Sequence, residues 1–102
     1  MNRYKVRFTR RAEADLLRLY EFLLEHDLET AELALGTVTD ALRLLEQFPF
    51  SCRKAGDGHH GPRLREVVIP FGASGYVALF EIDDATTVTV PAVRHQREND
   101  YH

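Results

Sequence analysis

Polar and apolar residues alternate through Arg3-Tyr4-Lys5-Val6-Arg7-Phe8, with Tyr4, Val6 and Phe8 on one side and the three cations on the other. A period of two marks a half-buried strand. The period then lengthens. Ala12, Leu16, Leu19, Tyr20 and Leu23 recur at spacings of three and four, which predicts an amphipathic helix over about 10–26. Thr9 suits its N-cap, and Glu13 and Asp15 suit its positive end. A second stripe, Ala31, Ala34, Leu35, Val38, Ala41, Leu42, Leu45 and Phe48, predicts a helix over about 28–47. Asp27 caps its start, and Pro49 stops it because the residue before a proline avoids the helical region. Gly36 falls off the stripe. The short link implies an antiparallel helix hairpin.

Residues 51–62 hold three glycines and a proline and read as a loop. Three strands follow, over about 63–69, 76–82 and 86–93, with turns at 70–75 and 83–85. Pro91 cannot donate to a ladder, so the last strand is expected at an edge or bulged there, and that edge is a place for strand addition. Short links imply an antiparallel meander. The expectation is a single α+β domain over 1–102. It is a two-layer β-α-α-β-β-β arrangement, with an antiparallel helix hairpin packed on an antiparallel sheet and the other face partly open.

Composition narrows the class. With 102 residues, 44% hydrophobic and 28% charged, the chain has ordinary globular usage, unlike a disordered tail, a collagen-like chain or a coiled-coil rod. No apolar run nears the ~20 residues that span a bilayer, and the start has no signal-peptide core, so a cytoplasmic location is expected. Cys52 is the lone cysteine, which excludes an internal disulfide and a Cys-based zinc site. The net charge of −3 argues against a free-standing binder of long nucleic acid. Charge is nevertheless segregated: residues 26–50 hold one Lys or Arg against five acids, whereas residues 51–80 hold four against two. A local basic patch on an acidic chain is compatible with that pattern, as is a solvated mixed surface.

No Gly-rich phosphate loop, nucleophile elbow or His-Glu-x-x-His helix occurs. His59-His60 lies in the Gly-rich loop, where a flexible solvated pair is the plainer reading, so no metal is expected. The end of the chain, Val93-Arg94-His95-Gln96-Arg97-Glu98-Asn99-Asp100-Tyr101-His102, is richer. Cleavage of RNA by 2′-OH attack needs a base, an acid and cations for the phosphorane, and His, Tyr and Arg fill those roles. Arg65 would join from the neighbouring strand. The plainer alternative pairs Arg94, Arg97 and Arg65 with Glu66, Glu98 or Asp100 at the surface.

Several segments together carry a resemblance. They are Tyr4-Lys5-Val6-Arg7-Phe8-Thr9 leading into Ala12-Glu13-Ala14-Asp15-Leu16, then Ala41-Leu42-Arg43-Leu44-Leu45-Glu46-Gln47-Phe48-Pro49, Arg63-Leu64-Arg65-Glu66, Gly75-Tyr76-Val77-Ala78-Leu79-Phe80 and Val93-Arg94-His95-Gln96-Arg97. In this order, over nearly the whole chain, they resemble the RelE/ParE superfamily, the toxins of bacterial type II toxin–antitoxin and plasmid stabilisation systems. The resemblance implies the same fold, a cognate antitoxin that covers the toxin, operator DNA bound only through that antitoxin, and no cofactor.

The superfamily holds two activities. RelE-like members are ribosome-dependent mRNA interferases, and ParE-like members inhibit DNA gyrase by binding. In the first case Arg65, His95, Arg97 and Tyr101 are the catalytic candidates. Arg53, Lys54, Arg63 and Arg94 are candidates for contact with a target. The spacing of Arg97 and Tyr101 departs from the RelE-like pattern, and contact with ribosomal RNA favours many more cations. The Arg-His-Gln-Arg ending and the Phe-Pro after the second helix look more like the ParE side. A degenerate toxin that retains only antitoxin binding is the third expectation.

Overall fold

The computed structural model describes residues 3–55, 63–72 and 74–96. β1 (Lys5–Phe8) leads into α1 (Arg10–Leu24) and α2 (Leu28–Leu44). A 3₁₀ turn (Pro49–Ser51) and a short β2 (Arg53–Lys54) precede β3 (Leu64–Phe71), β4 (Ser74–Ile82) and β5 (Thr87–His95). The caps are those the sequence predicts. The Thr9 side chain accepts from the Ala12 amide, and Asp27 accepts from Thr30. Both helices end two or three residues earlier than the stripes suggest. Past Leu44 the chain turns through hydrogen bonds to carbonyls three residues back, such as Leu45 to Leu42 and Gln47 to Leu44.

The five strands form one sheet in the order β1-β5-β4-β3-β2. β3, β4 and β5 form the expected antiparallel meander, but β1 runs parallel to β5, with Val6 beside Val88 and Phe8 beside Val90. The sheet is therefore mixed. Most of the stretch expected as the 70–75 turn is strand: Pro70 pairs with Gly75 and Phe71 with Ser74. Gly72 opens the two-residue link with φ 62, the sign that tight hairpin turns require. Gly75 has φ 154, and a Cβ there would meet the Ile69 carbonyl oxygen at 2.3 Å.

The helix pair covers one face. Phe80, Val88, Val90, Val93 and Ile69 are buried under Ala12, Ala34, Val38, Leu42 and Leu45. Small residues at the contact faces let the helices approach closely. Burying a side chain such as Phe80 stabilises by roughly 1.5–3 kcal/mol. Phe48 and Leu35, expected in the core, are 57% and 44% exposed. Phe48 lies beyond the helix end, and Leu35 flanks the buried line of Ala31, Ala34 and Val38. The face away from the helices is less open than expected: Ala55, Leu64, Val77 and Leu79 form a second buried cluster there.

Pro91 does not lie on an edge strand, because β5 is flanked by β1 and β4. It lies in a bulge. Leu79 faces Ala92 while Glu81 faces Thr89, so β5 carries one extra residue. The extra residue reverses the side-chain alternation, as a bulge must. Val88 and Val90 face the helices, and beyond the bulge it is Val93, not Ala92, that joins that core. Among the described residues no strand lies on the β1 side of β5 beyond Phe8, yet Thr9 and α1 side chains engage it. The Thr9 hydroxyl donates to the Pro91 carbonyl at 3.0 Å, and Asp15 Oδ2 accepts from the Val93 amide at 3.0 Å. These groups occupy the edge expected near Pro91 for strand addition.

Candidate functional site

The cations singled out from the sequence divide between the two faces of the sheet. Arg53 opposes Glu66 across β2 and β3, on the face away from the helices. Its Nε donates to Glu66 Oε2 at 2.6 Å, and its Nη2 lies 2.5 Å from the same oxygen. The Glu66 side chain is 11% exposed against 68% for Arg53. A largely sequestered carboxylate thus takes Arg53 as its partner.

Lys54 opposes Arg65 in the next register position, on the other face. Arg65 is held twice. Its Nη1 donates to the Cys52 carbonyl at 2.6 Å, and its guanidinium carbon lies 5.6 Å from the centre of the Phe50 ring. That distance is within cation–π range. Phe50 meets Tyr4 edge to face at 6.3 Å. Lys54, Arg63 and Arg65 line a groove of about 550 Å³ with these two aromatics. Among the described residues Lys54 and Arg63 have no hydrogen-bond or ion-pair partner.

The opposite wall of the groove is the β4–β5 turn, with Asp83 and Asp84. Both acids are engaged, Asp83 by β5 and Asp84 within the turn. Asp83 accepts from the Thr89 hydroxyl, and Asp84 Oδ1 accepts from the Thr86 amide and hydroxyl at 2.8 and 2.9 Å. The Thr86 amide, then its hydroxyl, holds Asp84 below its ordinary value. Cys52 sits beside the groove wall as a free thiol, and burial pushes its pKa up. A raised thiol is a poor nucleophile at neutral pH.

The two catalytic candidates among the described residues, Arg65 and His95, are not side by side. Arg65 lies opposite Phe80 of β4, and His95 lies opposite Tyr76, four residues along. At the usual strand rise that is about 13 Å along the sheet, with about 10 Å more across two strand spacings. One phosphorane needs its acid, base and cations within hydrogen-bond reach. The His95 ring instead packs edge-on against Tyr76 at 5.5 Å, and burial pushes the Tyr76 phenol up. Arg94 projects to the far face beside Val77 and lines a hollow of about 490 Å³ with Arg11, Asp15 and Arg18. Among the described residues its Nε is buried without a hydrogen-bond partner. Arg97 and Tyr101 lie outside the described residues, as do His59 and His60. Among the described residues no group of three or more His, Cys, Asp or Glu forms a metal cluster, and no helix is long and apolar enough to cross a membrane.

Two contributors escape the sequence reading: Tyr4 and Phe50, which build the aromatic floor. Glu66, expected as a partner for Arg94, Arg97 or Arg65, takes Arg53 instead. Phe50 had a signal: it follows the helix-stopping Pro49, off the apolar stripe, where an aromatic has no helical core to join. The choice of Glu66 follows from strand alternation, which puts Arg53 and Glu66 on one face and Lys54 and Arg65 on the other.

A second surface is apolar. Val6 and Phe8 of β1, Leu16 of α1 and Leu35, Val38 and Leu42 of α2 line a groove of about 340 Å³, with Arg43 and Glu46 at its margin. Leu17, Leu28, Leu33 and Leu44 add exposed apolar area on the helices, each more than half exposed.

Residues 6–100 match the family described as the ParE toxin of the type II toxin–antitoxin system parDE. Among solved structures, one chain from a chromosomal ParDE toxin–antitoxin system of P. aeruginosa superposes with a TM-score of 0.74. The match covers 90% of this chain and 95% of that one at 17% identity, a likeness of fold. No curated protein matches the sequence significantly.

Proposed function

The chain belongs to the ParE toxin family of type II toxin–antitoxin systems, and we propose that it acts as a toxin that inhibits DNA gyrase by binding and is neutralised by a cognate antitoxin. The observation that carries binding over catalysis is the separation of Arg65 from His95 by four residues of β4 register. The far face supports the same reading. Its centre is the apolar cluster of Leu64, Val77 and Leu79, and Arg53 is engaged by Glu66. The hollow on that face where Arg94 lies with Arg11, Arg18 and Asp15 is lined by neither Arg65 nor His95.

The antitoxin is assigned to the helical side. Exposed leucines and the groove between β1 and the hairpin form the kind of surface that a lasting partner buries. An amphipathic helix suits such a groove. Charged contacts serve encounter with a target more than lasting burial. DNA binding belongs to the antitoxin, in keeping with the net charge of −3.

The test is induced expression of the chain alone and with its antitoxin, followed by nucleoid staining, a supercoiling assay with purified gyrase and primer extension on abundant mRNAs. Filamentation, blocked supercoiling and intact mRNA are expected. Normal supercoiling at excess toxin with codon-phased mRNA cuts would replace this reading by the interferase. Harmless expression of the folded chain would mark a toxin reduced to antitoxin binding.

A further inference from the structure

We infer that the groove between β3 and the β4–β5 turn is the surface that grips the target, and that it takes an acidic protein segment with an apolar side chain beside its carboxylate. The inference rests on the gyrase reading above and gives it a place on the molecule. Chemistry and accessibility argue for this occupant. Lys54 and Arg63 are exposed and unpartnered among the described residues. Arg65 is already fixed by the Cys52 carbonyl and the Phe50 ring. A guanidinium fixed before binding loses little freedom when a carboxylate arrives, and its remaining donors suit a planar oxyanion. Phe50 is 63% exposed. Its ring carries Arg65 on one side and offers an anchor for an apolar side chain, the kind of aromatic that dominates binding hot spots.

The opposite wall sets the class. Asp83 and Asp84 line the opposite side of the groove; Thr86 holds the Asp84 carboxylate in the turn, whereas the Asp83 carboxylate is bonded to Thr89 of β5. A nucleic-acid strand crossing the groove would bring phosphates against Asp84, whereas a protein segment can place its carboxylate on the cationic wall alone. The cations are also a compact cluster, without the stripe that tracks a phosphate backbone. The two grooves adjoin where the Tyr4 amide donates to the Glu46 carbonyl, but Lys54, Arg63 and Phe50 line only the cationic one, so the two surfaces can be altered separately.

The experiment uses the full chain with Lys54→Glu/Arg63→Glu and, separately, Phe50→Ala. Each is compared with wild type in supercoiling inhibition of intact gyrase and in calorimetric binding to the antitoxin. Thermal melting is the fold control: the charge reversal should leave it unchanged, and Phe50→Ala, which gives up its contacts with Tyr4 and Arg65, should still melt cooperatively above the assay temperature. The charge reversal is expected to raise the inhibitory concentration at least about tenfold and to flatten its salt dependence. Phe50→Ala is expected to raise it without changing the salt slope. Wild-type inhibition that both variants retain overturns the groove assignment and leaves the gyrase reading standing. A wild-type chain that does not inhibit gyrase, yet binds its antitoxin, overturns the gyrase reading and this occupant with it. Inhibition lost in the charge reversal but at equal cost for a single-stranded RNA competitor, bound by wild type only, would assign the groove to nucleic acid instead.

Discussion

The carboxylate of Asp15 accepts the amide of Val93 at 3.0 Å, joining α1 to β5 across 78 positions of sequence. With Thr9 on the Pro91 carbonyl, it replaces the ladder that β1 stops supplying after Phe8. An exposed strand edge invites pairing with another chain, and natural folds block such edges with side chains.

Asp15→Ala is therefore expected to lower stability by about 1–3 kcal/mol, the cost of an unsatisfied, partly buried donor. Asp15→Asn keeps an acceptor oxygen and should recover part of the loss. Urea unfolding gives the energies. Amide exchange at Val93 gives the local effect and should speed up in Asp15→Ala by more than global destabilisation explains. An alanine variant as stable as wild type would show that the edge is satisfied without this bond.

Gly36 tests the helix rather than the edge. It lies in the interior of α2, exposed, and a Cβ there would meet nothing within 4 Å. Gly36→Ala should stabilise by up to about 1 kcal/mol through helix propensity alone. A raised melting midpoint with unchanged antitoxin affinity is the expected pair of results.

Gly75 lies at the opposite extreme. Its φ of 154 and the 2.3 Å approach to the Ile69 carbonyl leave no place for a side chain. Gly75→Ala should cost well over about 1 kcal/mol and open the β3–β4 hairpin. Loss of protection at Tyr76 and Val77 in hydrogen exchange would locate the damage.

These contrasts show what the sequence made legible. Helix positions and caps were readable because a stripe and a Thr or Asp before it are local signals. The parallel pairing of β1 with β5 was not, because nothing within either segment names a partner some eighty residues away. The bulge was half legible. Val88, Val90 and Val93 break a strict alternation at Pro91, yet only the neighbouring strands distinguish a bulge from an edge. For the site, the cation-bearing segments were readable, but sorting Lys54 and Arg65 from Arg53 required the β2–β3 register. Phe50 entered the site because a turn carried it beneath Arg65.

Acid should weaken the start of α2. Asp27 Oδ2 accepts from the Thr30 hydroxyl at 2.7 Å and its amide at 2.9 Å, and the hydroxyl, then the amide, holds the carboxyl below its ordinary 3.8. A folded value below the unfolded one means that the ionised form favours the fold. The contribution is complete above the unfolded value and fades as pH falls through the lower folded one. Asp27→Asn keeps a capping oxygen but has no proton to gain. The stability difference between wild type and this variant, followed by urea midpoints, should be flat at neutral pH and change only in the acid range. A difference that does not vary with pH would mean that the charge of Asp27 is immaterial.

His95 separates the two activities of the superfamily. Its ring rests edge-on against Tyr76, a contact worth about 0.5–1.5 kcal/mol, so His95→Ala should lose at least that much stability. As a general acid or base it would lose about 10²–10⁴-fold in rate. Growth inhibition well below the melting range distinguishes these magnitudes. Toxicity in His95→Ala and in Tyr101→Phe that follows only the amount of folded toxin fits binding to gyrase. Folded variants without toxicity, together with loss of cuts in ribosome-bound mRNA, would bring His95 and Tyr101 back as proton-transfer groups. Such a result would require Arg65 and His95 to act despite their separation across the sheet, a motion that the antiparallel β3–β4–β5 register opposes.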